Sequence, residues 1–131
     1  MSAAAHLFDQ APLHEATKHF LAQAGHHVLI AYEDEAAVGF ITGVEMTHPD
    51  KGTEMFIYEL GVDEKFRRLG IGKALIGRLS EIAKVSGCYG MWVLTDSDNA
   101  AALATYRSGG ASHESHHLML SWEIAETDSG P

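Results

Sequence analysis

Arg67-Arg68-Leu69-Gly70-Ile71-Gly72 is the segment of this 131-residue chain best suited to binding a charged ligand. It lies between a predicted strand and a predicted helix. A helix N-terminus at that point offers backbone N–H groups with no carbonyl partner. Two glycines let the backbone approach an anion closely, and two arginines add positive charge. These are the makings of a pyrophosphate cradle. The segment is not a Walker loop, because no Gly-Lys-Ser/Thr follows. Nor is it a dinucleotide fingerprint, which needs three spaced glycines. Glycines serving only tight helix–sheet packing would give the same pattern.

Glu59 is the second notable residue. It sits in Glu-Met-Phe-Ile-Tyr-Glu-Leu-Gly-Val (54–62), a run apolar nearly throughout, as in a central strand covered on both faces. A carboxylate there is costly without a partner or a purpose. Glu54 starts the same strand and could simply be exposed. Alternation puts 55, 57 and 59 on one face and 54, 56, 58 and 60 on the other. The two glutamates therefore share a face only if a bulge shifts the register. Gly61 inside the strand suggests such a bulge, or a close backbone approach by a ligand.

The elements that must hold these residues follow from pattern. Good helix formers over 3–9 and Pro12 ahead of an apolar stripe over 13–23 predict two short helices, with Gly25 as a stop. Residues 27–33 and 38–46 read as a hairpin turning at Asp34-Glu35. A loop over 48–52 leads to the 54–62 strand. Ile71, Ala74, Leu75, Leu79, Ile82 and Ala83 recur at helical spacing, and Gly87 ends that helix. Residues 88–95 read as a strand. A helix capped by Asp98 or Asn99 runs to Arg107 and stops at Ser108-Gly109-Gly110. Leu118, Leu120, Trp122 and Ile124 alternate along a last strand, 116–124. The order predicts one α/β layered domain over 1–125, with a mixed sheet and one βαβ crossover. Residues 126–131 read as a polar tail.

Composition limits the partners. Nine Lys plus Arg against eighteen Asp plus Glu give a net charge of -9, which disfavours nucleic acid and suits a cationic substrate or simple solubility. No apolar run is long enough to span a membrane. One Cys excludes an internal disulfide, and no leader pattern opens the chain, so the expected compartment is the cytoplasm. His26, His27, His113, His116 and His117 invite a metal reading. Neighbouring His on a strand alternate faces and no Cys cluster supports them, so no metal is expected. Cys88 reads as a buried small hydrophobe. Trp92 and Trp122 read as core or dimer contacts.

Arg-x-x-Gly-x-Gly after a strand, with Lys73-Ala74-Leu75 behind it, resembles motif A of the GCN5-related N-acetyltransferases (GNAT family). Asn99-x-x-Ala102-x-x-x-Tyr106 is similar to that family's later helix, and the order of elements agrees. The resemblance implies acetyl-CoA as cosubstrate. It implies that the family's fourth and fifth strands, here 54–62 and 88–95, splay apart to admit the pantetheine. Leu60, Gly61 and Val62 would bind that arm. Arg67, Arg68, Gly70, Ile71, Gly72 and Lys73 would hold the pyrophosphate, and Asn99, Ala102 and Tyr106 would complete the cofactor site. It implies direct attack by an amine in a ternary complex, with Glu59 or Glu54 as base, directly or through water, and Tyr106 as acid toward the departing thiolate. Ile57-Tyr58-Glu59-Leu60-Gly61-Val62 further resembles the aminoglycoside 3-N-acetyltransferases. Glu54, Glu59, Asp96 and Asp98 would then contact a polycationic acceptor. Asp98 could also serve only as a helix cap. A homodimer is implied as well. The family's first strand has no counterpart in residues 1–5, and one C-terminal strand stands where the family has two. A shortened form, or a neighbouring subunit covering that edge, would account for the first difference.

Overall fold

The computed structural model describes residues 2–125; the predicted polar tail at 126–131 lies outside them. A 3-10 helix, Ser2–Leu7, replaces the first predicted α-helix and leads to α1 (His14–Ala22). Four strands follow in one sheet of order β1-β2-β3-β4. They are β1 (His26–Glu33), β2 (Ala36–His48), β3 (Gly52–Val62) and β4 (Met91–Val93). β1, β2 and β3 form an antiparallel meander. Its first turn places Asp34 at φ 54°, a left-handed position that Asp tolerates. A 3-10 turn, Glu64–Phe66, and α2 (Ile71–Val85) carry the chain over to β4, which pairs parallel to β3. A parallel pair needs such a crossover. α3 (Ala100–Ser108) follows.

The core lies between the sheet and α2. Ile41, Met55, Ile57, Leu75, Ile76, Leu79 and Ala83 form its buried centre. The stripe predicted for α2 supplies Leu75, Leu79 and Ala83 by its 3.6-residue period, and Ile76 joins them from beside it. Two glycines on β2 set how closely the helix lies. A Cβ on Gly43 would sit 2.9 Å from Leu79 Cδ2 and 3.0 Å from Met55 Sδ, and one on Gly39 would sit 3.0 Å from Ile71 Cγ2. The opposite face of the sheet is covered at β2 by the N-terminal segment. There Phe8 stacks on Phe40 with centroids 4.0 Å apart.

Two strands depart from the sequence reading. The 88–95 strand shrinks to Met91–Val93. The 116–124 strand does not form: residues 111–124 carry no regular structure and are exposed throughout. Alternation makes a segment able to be a strand, but a strand needs a neighbour at pairing distance. Here the segment stands away from β4 across an open cleft of about 1200 Å³. Among the described residues no helix is long and apolar enough to cross a membrane.

Candidate active site

The sheet opens where β3 and β4 part. They pair at Met55–Met91, Phe56–Trp92 and Ile57–Val93, and then stop. β3 continues to Val62, so residues 58–62 present an edge that no described strand occupies. This is the predicted splay. It lies at the carboxyl ends of two parallel strands, where open α/β sheets bind ligands.

A bulge sits at the mouth of the opening. Thr42 pairs with Glu59 and Gly43 with Ile57, leaving Tyr58 as the extra residue, 69% exposed. The Glu59 N–H donates to the Thr42 hydroxyl at 3.1 Å. Thr42 is itself buried, so a side chain takes over a bond that the regular ladder would make. The bulge inverts the alternation. Ile57 packs toward α2 before it, and Leu60 does so after it. Glu59 consequently faces away from α2, on the same side as Glu54. The sequence admitted this arrangement only through a bulge, and located it near Gly61, three residues too late. The space a Cβ would need at Gly61 is filled by the chain itself, 2.8 Å from Phe40 Cε1 and 2.9 Å from the Leu7 carbonyl oxygen.

Sharing a face does not make the glutamates a pair. Five residues of strand separate them by about 15 Å. Glu54 Oε2 accepts a 2.6 Å hydrogen bond from the Tyr89 hydroxyl. Glu59 instead lies by Asp9, a residue the sequence reading did not single out. Burial raises the Glu59 pKa above the usual carboxylate value, and the Asp9 charge raises it further against a smaller opposing pull from the Asp9 backbone. No local motif signals this contact, because it joins residues fifty apart through the packing of the N-terminal segment.

The turn over 67–72 is built as its residues suggest. Gly70 caps α2 at φ 82°, with nothing within 4 Å of a would-be Cβ. Arg68 beside it also takes a left-handed φ, 66°. Intrahelical bonding begins with the Ala74 N–H donating to the Gly70 carbonyl, so the first-turn N–H groups of Ile71, Gly72 and Lys73 lack a carbonyl one turn back. Arg67 folds back to donate from Nε to the Val62 carbonyl at 3.2 Å, tying the turn to the end of β3. Gly72 has a different task from Gly70. A Cβ there would lie 2.9 Å from Thr105 Cγ2, so it allows α2 and α3 to touch. The open cradle and its unpaired donors fit an anionic pyrophosphate.

Tyr106 approaches from the other side. It projects from α3 against the core cluster and lines the open cleft beside Ile57, Ile76 and Val93. Burial raises its phenol pKa, keeping it a proton donor. Glu59 does not line that cleft; carboxylate and phenol reach the splay from opposite faces of the sheet. Asn99 rather than Asp98 caps α3, its Oδ1 accepting the Ala102 N–H at 3.1 Å. Asp96 and Asp98 are exposed in the loop after β4. Trp92 tilts over Phe56 with centroids 4.4 Å apart but is 36% exposed, and Trp122 is 80% exposed, so neither belongs to the buried core. Cys88 is half-buried with a raised thiol pKa, caused chiefly by burial. Among the described residues no three His, Cys, Asp or Glu are grouped to hold a metal ion.

A four-stranded mixed sheet opened beside a Gly-capped helix is an architecture that known acetyltransferases share. The acetyltransferase (GNAT) family model matches residues 2–110, and the chain belongs to that family. Human N-acetyltransferase 8 is 26% identical over 107 residues, which is 81% of this chain and 47% of the relative. The chain thus spans about half the length of that curated relative. An aminoglycoside acetyltransferase from an uncultured soil metagenomic sample, solved in complex with trehalose, superposes with a TM-score of 0.81 at 26% identity. That match covers 88% of this chain and 77% of the other. The same enzyme is also known in complex with sisomicin. The fold is shared too with aminoglycoside N-acetyltransferase AAC(6')-Iy in complex with CoA, with a TM-score of 0.76 at 19% identity, covering 84% of this chain and 85% of the other.

Proposed function

We propose that this protein transfers acetyl from acetyl-CoA to an amine of an aminoglycoside or a similar polycation, acting in the cytoplasm by direct attack. The carrying observation is the opening of the sheet after Ile57 and Val93, with Glu59 two residues beyond on one face and Tyr106 behind the other. Acetyl-CoA would supply the activated acyl group. The first-turn amides of α2, with Arg67, Arg68 and Lys73, would hold its pyrophosphate. The free edge of Leu60, Gly61 and Val62 would align its pantetheine, and Asn99 and Ala102 would border it from α3. Holding both reactants in one opening removes much of the entropic barrier.

Glu59 would take the proton of the incoming ammonium. Its raised pKa brings its basicity nearer to neutral pH, which suits that role. Asp9 adds a second negative charge beside it, so the spot favours a cation. Glu54, Asp96 and Asp98 would contribute charge around the acceptor rather than touch the reacting atoms. Tyr106 would donate to the departing thiolate. The aminoglycoside reading rests on the metagenomic relative and on the net charge of -9. The 3-amino position rests only on the run around Glu59, and one fold neighbour is named for the 6' position.

The test is free-thiol release from acetyl-CoA with a panel of aminoglycosides and polyamines. Release with an aminoglycoside, followed by product mapping, would establish the acceptor and its position. Tight acetyl-CoA binding without release for any member would overturn the aminoglycoside reading. It would leave another small amine, a protein amino group or a noncatalytic acyl-CoA-binding module.

A further inference from the structure

Consecutive residues of a strand point to opposite faces. Tyr58 and Glu59 do not. Met55 and Ile57 pack toward α2, so Phe56 faces away from it, and Tyr58 meets Phe56 edge-on with ring centroids 5.8 Å apart. Glu59, the next residue, also faces away from α2. The bulge thus sets a phenol ring and a carboxylate side by side on one face. Bulges beside active sites re-aim a side chain in this way. The displaced Glu59 N–H has its acceptor in Thr42. The displaced Tyr58 ring points to solvent, 69% exposed.

Phe56 extends this surface. It lies at 33° to Trp92, its parallel partner on β4, with centroids 4.4 Å apart. Tyr58, Phe56 and Trp92 therefore form one row of rings, crossing from β3 to β4 where the two strands part. Phe56 is half-buried in the middle and steadies the two exposed rings. The N-terminal segment covers this face at β2, where Phe8 lies on Phe40, but the exposure of Tyr58 and Trp92 shows the row itself to be open. Aromatic residues exposed singly are ordinary; three in contact beside a half-buried carboxylate are not.

We propose that this row is the floor on which the acceptor lies, and that Tyr58 is its specificity-determining residue. The proposal rests on the acetyltransferase reading above and narrows its acceptor to a cationic amine carried on a ring with open C–H faces, as in an amino sugar. One amine reaches Glu59 while the neighbouring ring face and ammonium lie over Tyr58. Charge and surface agree on this occupant. The faces of aromatic rings attract ammonium groups. Asp9 lies beside Glu59, and Glu54 stands on the same side beyond Phe56, so carboxylates flank the rings at both ends. An acceptor with several amines presents whichever one its body allows, and the row fixes that body relative to the base.

Thiol release is measured at saturating acetyl-CoA with sisomicin as the ringed acceptor and spermidine as a linear one. Tyr58→Ala should raise the sisomicin KM about tenfold with kcat held within about twofold. Its acetyl-CoA affinity and urea midpoint should match the wild type. Tyr58→Phe should keep the wild-type KM, because the ring and not the hydroxyl makes the contact. The chain has two tryptophans, so Trp122→Phe leaves Trp92 as sole reporter, and sisomicin should change its emission saturably with CoA bound. Sisomicin turnover with an unchanged KM in Tyr58→Ala, or with Trp92 silent, would overturn the proposal and leave the transferase reading standing. A joint fall of kcat, acetyl-CoA affinity and urea midpoint would make Tyr58 a support of the bulge and overturn it too. Release with spermidine alone would overturn it, since that chain has no ring to lie on the row. Release with neither would also overturn it, and the wider panel then decides the transferase reading separately.

Discussion

Two unpaired strand edges of the described sheet, that of β3 beyond Ile57 and the outer one of β4, differ in every respect except their backbones. The edge of β3 beyond Ile57 is bordered by a carboxylate, a phenol and a cationic, Gly-capped helix start. The outer edge of β4 is bordered by a cleft and by an apolar segment with nothing to lie against. Bare N–H and C=O groups ask for partners at both places. The side chains around them differ: charged and hydrogen-bonding groups flank the first edge, and mainly apolar ones stand near the second. Both edges depend on one foundation, the packing of α2 on β2 and β3.

Breaking that foundation should have the largest effect and should not distinguish the edges. Leu79 is fully buried at the centre of the core. Leu79→Ala should lower unfolding free energy by about 3 kcal/mol in a urea titration. Acetyl-CoA binding and any self-association should fall together. Loss of one alone would mean that the edges are founded separately.

The next change separates them. Glu59→Gln should reduce kcat/KM by about 10²-fold while mass and acetyl-CoA affinity stay as they were. The pH profile sharpens the point. A base must be ionised to act, and burial raises this one above the ordinary value of 4.5. The wild-type acid limb should thus lie above that value, with activity falling as pH drops through it, and the variant should lack that limb. The sign for stability is opposite: a raised carboxyl pKa means that the folded state holds the proton more tightly than the unfolded one. The destabilisation it causes is absent below the unfolded pKa and develops as pH rises through the folded one. An acid limb unchanged in the variant would remove Glu59 from the role of base.

Tyr106→Phe should cost less, about tenfold in kcat, because water can replace a phenol as proton donor. Its acetyl-CoA dissociation constant by calorimetry should not change. An equal loss in binding would make Tyr106 a packing residue of the core it touches.

How much of this was legible differs between the edges as well. The α2 stripe and the glycine turn before it were legible because each rests on a local pattern, a 3.6-residue period or glycines at the head of a helix; the parting of the strands was implied only by the family resemblance. The Glu59–Asp9 contact was not, since it depends on how the N-terminal segment folds across the sheet. The 116–124 strand was read from alternation alone, which reports what a segment could pair with and not whether a partner stands beside it. The cap of α3 went to Asn99 because only its side chain reaches the Ala102 N–H. The bulge was foreseen through Gly61 but formed at Tyr58, where the Thr42 hydroxyl on the neighbouring strand accepts the displaced Glu59 N–H.

Thr42 therefore offers the finest test of the first edge. Among the described residues it is the one buried polar side chain. Its hydroxyl accepts the Glu59 N–H at the bulge that turns the carboxylate away from α2. Thr42→Val keeps the shape and removes the acceptor. An unmet donor should cost about 1 kcal/mol of stability. Catalysis is the better readout. If the hydroxyl holds the bulge in register, kcat should fall a few-fold with acetyl-CoA affinity intact, and Thr42→Ser should restore it. An unchanged kcat in Thr42→Val would show that the twist of β3 alone orients Glu59, with the hydroxyl only satisfying a donor that the bulge had already displaced.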